Sequence, residues 1–388
     1  MTPKAPRCDN HIVLAAGQFD LLLQTLNKLG FEVIGPTLRE GAIVYGQVAS
    51  SKDLPQGWTD EQEGGKYRLK HRGDAALFGY SVGPVTWKKF LFPPVSRLWK
   101  AERTDGQFRI VPEERRQKKY AFVGVRACDT AALAIQDKVF LQGPYEDPSY
   151  RSRRANVFIV ALNCAQAGGT CFCMSMGSGP KATAGYDLAM TEVLKNGDHH
   201  FVVHVGTEAG ASLLAVIPHD LASDEEIAYA ESVVAEASRR MGRTLNVNGI
   251  KELFYRNSES PRWEILANRC LSCANCTLVC PTCFCSTVED TTDLIGVQAE
   301  RTRKWDSCFT SDFSYIHGSS VRPTPRSKYR QWITHKLAYW QDQFGSSGCV
   351  GCGRCITWCP VGIDITEEAR ALREGELHAG MRSEEGQI

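Results

Sequence analysis

The sequence predicts two units in series, an α/β unit over residues 1–246 and a mainly α-helical unit over 247–388. Three observations carry that division. Short β-branched runs alternate with helical patterns through the first two-thirds of the chain, as at Tyr120–Val125, Val157–Leu162 and Phe201–Val205, and such alternation packs as an open α/β sheet. Eleven of the 16 cysteines crowd between Cys270 and Cys359. Beyond them in kind, Arg326–Phe344 sets Tyr329, Ile333, Leu337 and Trp340 at helical spacing, with no proline from Ser327 onward.

In chain order, Phe19–Leu26 reads as a helix. Tyr120–Val125 is a strand that runs into the Cys128-Asp129 turn and the helix Thr130–Phe140. The strand Val157–Leu162 leads to Asn163-Cys164 and then to the loop Gly168-Gly-Thr-Cys-Phe-Cys173. After the strand Phe201–Val205, a helix over Asp224–Met241 takes Ser223 as its cap, and Met241–Asn248 is the hinge between the units. In the second unit Gly345-Ser-Ser-Gly348 ends the long helical pattern just before Cys349.

A length of 388 residues suits two or three domains. Hydrophobic residues at 43% and charged residues at 23% are globular values that argue against disorder, coiled coil and collagen. Lys+Arg 45 against Asp+Glu 44 leaves a charge of +1, which gives no reason to expect nucleic acid or an anionic membrane surface as partner. The longest apolar runs, Ala211–Ile217 and Val157–Leu162, fall far short of the roughly 18 residues of a membrane span. Ile12–Ala16 is too short for a signal-peptide core. The expectation is a cytoplasmic chain with no membrane span, in which 16 cysteines serve metal ligation rather than disulfides.

Two cysteine runs share one spacing: Cys270-Leu-Ser-Cys273-Ala-Asn-Cys276-Thr-Leu-Val-Cys280-Pro281 and Cys349-Val-Gly-Cys352-Gly-Arg-Cys355-Ile-Thr-Trp-Cys359-Pro360. Both are C-x2-C-x2-C-x3-C-P, the bacterial ferredoxin pattern. In it three close thiolates hold one 4Fe-4S cluster and the fourth, beside the proline, ligates the other. By that rule one cluster takes Cys270, Cys273, Cys276 and Cys359, and a second takes Cys349, Cys352, Cys355 and Cys280. Two zinc knots or plain structural thiols are the alternatives, but zinc sites are typically built from paired CxxC units rather than four cysteines ending in Cys-Pro. The 68 residues between Cys280 and Cys349 exceed the spacer of a compact duplicated ferredoxin. Residues 247–388 therefore read as a helical, ferredoxin-like unit with its cysteine loops at helix ends.

The first unit carries further thiols at strand ends, where ligands of open α/β sheets gather. Cys128, Cys164, Cys171 and Cys173 are candidates for a third 4Fe-4S cluster, with glycine amides of the loop free to donate to sulfur. The alternative is that they are buried free cysteines acting as small hydrophobes. Cys171 and Cys173 share one cluster only if their loop is irregular, since alternate residues of a strand face opposite ways. Cys283, Cys285 and Cys308 have no assigned role; Thr282-Cys-Phe-Cys285 repeats Thr170-Cys-Phe-Cys173. Cys8 reads as an ordinary terminal thiol. The chain has no phosphate-binding G-x-x-x-x-G-K-[ST] loop, C-x-x-C-H haem site or H-E-x-x-H pair. Gly177–Ala182 fits the dinucleotide G-x-G-x-x-G/A pattern, but it follows a CFC loop rather than a strand and contains Pro180. The basic stretches Arg115–Lys119 and Arg322–Arg330 read as solvated faces. No nucleophile, general base or open metal site is apparent, so no catalytic residue is assigned.

Trp87-Lys-Lys-Phe-Leu-Phe-Pro93, Gly124-Val-Arg-Ala-Cys-Asp129, Thr170-Cys-Phe-Cys173, Cys280-Pro-Thr-Cys-Phe-Cys285, Trp305-Asp-Ser-Cys308 and Cys349–Pro360 together resemble the iron-sulfur beta subunits of cytosolic NiFe sulfhydrogenases. The same family includes the A subunit of anaerobic sulfite reductase. The resemblance spans about Trp87 to Thr366. It implies a non-catalytic electron-transfer subunit between a flavoprotein subunit that handles NAD(P)H and a NiFe hydrogenase small subunit, with the hydrogen chemistry on a separate large subunit. It implies no flavin or NAD on this chain. The alternatives are the corresponding role in a sulfite reductase, or a self-contained iron-sulfur oxidoreductase.

Overall fold

The computed structural model describes residues 6–104, 106–112 and 118–385, apart from the side chains of residues 112 and 377–385. Residues 115–117 of the first basic stretch lie outside the described residues. The strands are β1 (His11–Ala15), β2 (Glu32–Arg39), β3 (Ala42–Gln47), β4 (Trp58–Glu63), β5 (Lys66–His71), β6 (Val95–Thr104), β7 (Gln107–Pro112), β8 (Tyr120–Arg126), β9 (Val157–Leu162), β10 (Leu188–Lys195), β11 (Asp198–Val205), β12 (Asp220–Leu221), β13 (Ser286–Thr292) and β14 (Gln298–Trp305), with a two-residue pair, β15 (Tyr315–Ile316) and β16 (Ser319–Ser320), beyond them. Eight of them form one mixed sheet in the order β12-β1-β11-β10-β9-β8-β2-β3. Its centre, β2-β8-β9-β10, is parallel and its flanks are antiparallel.

Every residue of β8 is buried, the condition of a strand covered on both faces, and hence its uninterrupted apolar sequence. Ala121 and Val123 face a core with Phe19, Leu22 and Phe78. Phe122 faces the opposite core with Trp87 and Tyr150, and burying such a side chain contributes roughly 1.5–3 kcal/mol. Gly124 adopts φ +84° at an irregularity in the β8–β9 register. That extra residue returns Val125 to the face of Phe122 and re-aims the strand end. Helix Ala127–Leu141 starts there, with Cys128 in its first turn.

The helices after residue 246 enclose a second core of Leu253, Phe254, Trp263, Tyr329, Trp332, Ile333 and Leu337. Helix Pro325–Thr334 begins with a Thr324–Ser327 capping box and passes through a π-helical turn, His335–Tyr339, into Trp340–Phe344. Gly345 in the left-handed conformation (φ +64°) ends it. The spacer also contains a hairpin, β13–β14, that no periodicity announces. Its strands carry charges on neighbouring positions, and ion pairs such as Asp290–Arg301 and Glu289–Lys304 stand in for an apolar face.

This hairpin joins β6 and β7 in a four-stranded sheet, β13-β14-β6-β7, so segments from both sides of residue 246 share one set of backbone hydrogen bonds. The β4–β5 hairpin also crosses that boundary. Gly65 at its tip donates to the Ile356 carbonyl at 3.1 Å, and its φ of +72°, with a Cβ position only 2.8 Å from the Cys359 carbonyl, requires glycine.

Candidate iron-sulfur centres

Both cysteine runs fold the same way. Ser272 and Gly351 take φ of +50° and +62°, and Ala274 and Gly353 take +66° and +75°, at matching motif positions. Left-handed backbone at a serine and an alanine is strained, and such strain persists where surrounding structure imposes it, often at functional sites. It curls each loop so that a main-chain N–H reaches back to sulfur: Ser272 to Cys270 and Gly351 to Cys349, both at 3.4 Å. Ile363 donates to Cys359 at 3.3 Å and Thr282 to Cys280 at 3.4 Å. Amide donors of this kind favour thiolate and tune a cluster's potential. Short helices, Asn275–Leu278 and Arg354–Thr357, then carry the chain to the fourth cysteine.

Cys270, Cys273, Cys276 and Cys359 line one pocket of about 410 Å³, roofed by Phe309, Tyr329 and Trp332. Cys355 reaches the same wall. Cys349, Cys352, Cys355 and Cys280 form the neighbouring group, each within electrostatic range of others. Burial pushes Cys349 up to about 12 and Cys355 well above the ordinary thiol range. Such buried thiols stay neutral until a metal displaces the proton. Beside them Lys336 projects from the π-helical turn, its Nζ 3.2 Å from Cys280 Sγ, 3.0 Å from Thr282 Oγ1 and 3.1 Å from the Gly348 carbonyl. Burial opposes its charge, yet Cys280, Cys283 and Cys349 hold its pKa well above the usual lysine value. π-Turns of this kind recur at functional sites.

Cys128, Cys164, Cys171 and Cys173 line a second pocket of about 350 Å³, together with Arg126, Met241 and Cys352. The loop that brings them there is irregular: Cys171 N–H turns back to the Gly168 carbonyl, and Met176 N–H to that of Cys173. The alternation of a strand is thereby broken, and both thiols face one space. Gly168 and Gly169 permit close approach, since Cβ atoms there would stand 2.6 Å from Ser81 Oγ and 2.1 Å from the Gln62 carbonyl. Phe172 N–H bonds the Gly351 carbonyl at 2.8 Å. Thr357 Oγ1, 2.7 Å from Thr170 Oγ1, donates to Gln62 Oε1 at 2.8 Å. Arg354, in the second cysteine run, pairs with Asp129 at 2.9 Å, both side chains fully buried. The first unit's thiols are thus clamped directly onto the second cysteine run.

Cys8 hydrogen-bonds Glu208 at 3.2 Å, far in sequence from the other thiols. Gly177–Ala182 lies between β9 and β10, beside Cys173 rather than at a strand-to-helix turn. Cys283, Cys285 and Cys308 line a third pocket with Lys336, His335 and Trp340. Their convergence escaped the sequence, because Cys308 follows the unannounced hairpin; the repeated Thr-Cys-Phe-Cys was the available signal.

Among the described residues, no three or more His, Cys, Asp or Glu side chains converge tightly enough to hold a single metal ion. Zinc would draw thiolates to about 2.3 Å from one centre, whereas a cubane spreads them over four irons. The all-cysteine donor sets and their C-x2-C-x2-C-x3-C-P spacing fit clusters. No helix among the described residues is long and apolar enough to cross a membrane.

The family model for 4Fe-4S dicluster domains matches residues 269–363. The chain is 32% identical over 291 residues to the sulfhydrogenase 2 subunit beta of Pyrococcus furiosus, a match covering 74% of this chain and 83% of that protein. No solved structure matches. With thiol sets spaced for cubanes, a dicluster match over both runs and a relative aligned along most of its length, the chain belongs to the family of iron-sulfur beta subunits of sulfhydrogenases, electron-transfer subunits carrying 4Fe-4S clusters.

Proposed function

We propose that the chain relays electrons between an NAD(P)H-linked flavoprotein subunit and the small subunit of a NiFe hydrogenase, through two 4Fe-4S clusters in the crossed ligation given above and a third on Cys128, Cys164, Cys171 and Cys173. Bound there, the clusters supply one-electron carriers in series. One observation carries the reading: adjacent thiol groups share walls. Cys352 lines the pocket of Cys128, Cys164, Cys171 and Cys173, and Cys355 lines that of Cys270, Cys273 and Cys276, so the three groups form an unbroken row. At one end Cys273, Leu271 and Leu278 are exposed, which suits close approach of a partner carrier. Phe108 and Ile110, two positions apart on β7, are both more than half exposed, apolar side chains of the kind found at subunit contacts.

Anaerobic co-purification of the tagged chain from its host, with partners and metals identified, tests the assignment. A flavoprotein and hydrogenase subunits are the expected partners; sulfite reductase subunits in their place would select the related role. NADPH-dependent viologen reduction by the isolated, flavin-free chain would show instead a self-contained oxidoreductase.

A further inference from the structure

The Thr-Cys-Phe-Cys repeat occurs twice, and each copy delivers two thiols to a pocket. Thr170–Cys173 feeds the pocket that Cys128 and Cys164 complete. Thr282–Cys285 feeds the pocket of Cys308, where the count stops at three. Here Cys283 lies within interaction range of Cys280 and Cys308 within that of Cys285, and all four are free thiols.

Two buried cations flank these thiols. Lys88, 3% exposed, donates to the Cys283 carbonyl at 2.9 Å and lies 3.9 Å over the Trp305 ring. Lys336, 5% exposed, lies on the other side against Cys280 and Thr282. Burial lowers the Lys88 pKa, and the groups that work against that shift are Cys283, Cys280 and Cys285. Two buried ammonium groups beside these thiols call for compensating negative charge, which an anionic group held among the thiols supplies. A dithiol that cycles to a disulfide has no such charge when oxidised.

We infer that Cys283, Cys285 and Cys308 hold a further 4Fe-4S cluster through three thiolates, leaving one iron without a cysteine ligand and open to the pocket lined by Arg322, Gln331, His335 and Gln343. The site stands beside both ferredoxin-type groups, with Cys308 within electrostatic range of Cys276 and Cys283 within that of Cys280. It forms a branch off the row of carriers. An iron lacking a protein thiolate accepts small exogenous ligands, which the fully ligated clusters of the row do not.

The test uses the full chain, reconstituted anaerobically, with iron and acid-labile sulfide counted and reduced samples followed by electron paramagnetic resonance. The wild type should bind about sixteen irons, four for each of four clusters, and C285S/C308S about twelve. Cyanide should alter one signal of the wild type and none of the double variant, whose remaining signals persist and so report that the chain is folded. About twelve irons in a wild type whose other three clusters are spectroscopically present, equal iron in wild type and variant, or a Cys285–Cys308 disulfide in the as-isolated protein would each overturn the assignment. Loss of iron in C349S but not in C285S/C308S would leave the proposed relay standing while removing this site, so the two readings fail separately.

Discussion

Lys336 places a unit charge 3.2 Å from Cys280 Sγ, and replacing it with methionine removes the charge while keeping an apolar stem of similar length. A cluster held by Cys280 would be centred about 6 Å from Nζ, and at an effective dielectric of about 20 a unit charge at that distance would stabilise an added electron by about 3 kcal/mol. With about 59 mV per tenfold change for a one-electron step, that corresponds to about 120 mV. Lys336→Met should therefore lower the potential of that cluster by roughly this amount, while Lys336→Arg, which retains the charge, should move it far less. Anaerobic redox titration followed by electron paramagnetic resonance reads the shift directly. A potential that stays put or rises in Lys336→Met, or an equal fall in Lys336→Arg, would refute the electrostatic reasoning.

Three further outcomes follow from the same contacts. Asp129→Asn strands the fully buried Arg354; breaking such a pair costs about 3–5 kcal/mol, a fall of roughly 6–10 °C in the thermal loss of cluster absorbance, and Asp129→Leu with Arg354→Met should recover most of it. Cys128→Ala or Cys164→Ala in the full chain should each remove about four irons and spare the signals of the two ferredoxin-type clusters; unchanged iron would return these thiols to a packing role. Gly353→Ala forces an alanine to φ +75° with its Cβ 2.4 Å from the Thr170 carbonyl, a backbone cost of about 1–2 kcal/mol before the clash. Mild chelation should then strip the Cys128 site faster than in the wild type, and equal rates would show that the 170–173 loop does not lean on that glycine.

The strands Tyr120–Arg126 and Val157–Leu162 were legible because burial on both faces demands an unbroken apolar run. The helix through Tyr329, Ile333, Leu337 and Trp340 was legible because all four bury on one side. β13 and β14 were not, since they pair through charge and present no apolar alternation to read. For the same reason the division at residue 246 is visible in composition yet gives no hint that β14 pairs with β6 across it.

What the sequence determined by itself is local chemistry: ligand spacings of two and three residues set how a loop curls around a cubane, so the two C-x2-C-x2-C-x3-C-P runs name their cofactor class without a fold. Cys128, Cys164, Cys171 and Cys173 could be grouped from their places at strand ends, but the approach of Cys352 to them, and the convergence of Cys283 and Cys285 with Cys308, belong to the tertiary structure alone. Those thiols sit on segments brought together by sheet order, by the Gly124 bulge and by the buried Arg354–Asp129 pair. Contacts across such sequence distances depend on how whole layers pack, and no short-range pattern encodes that.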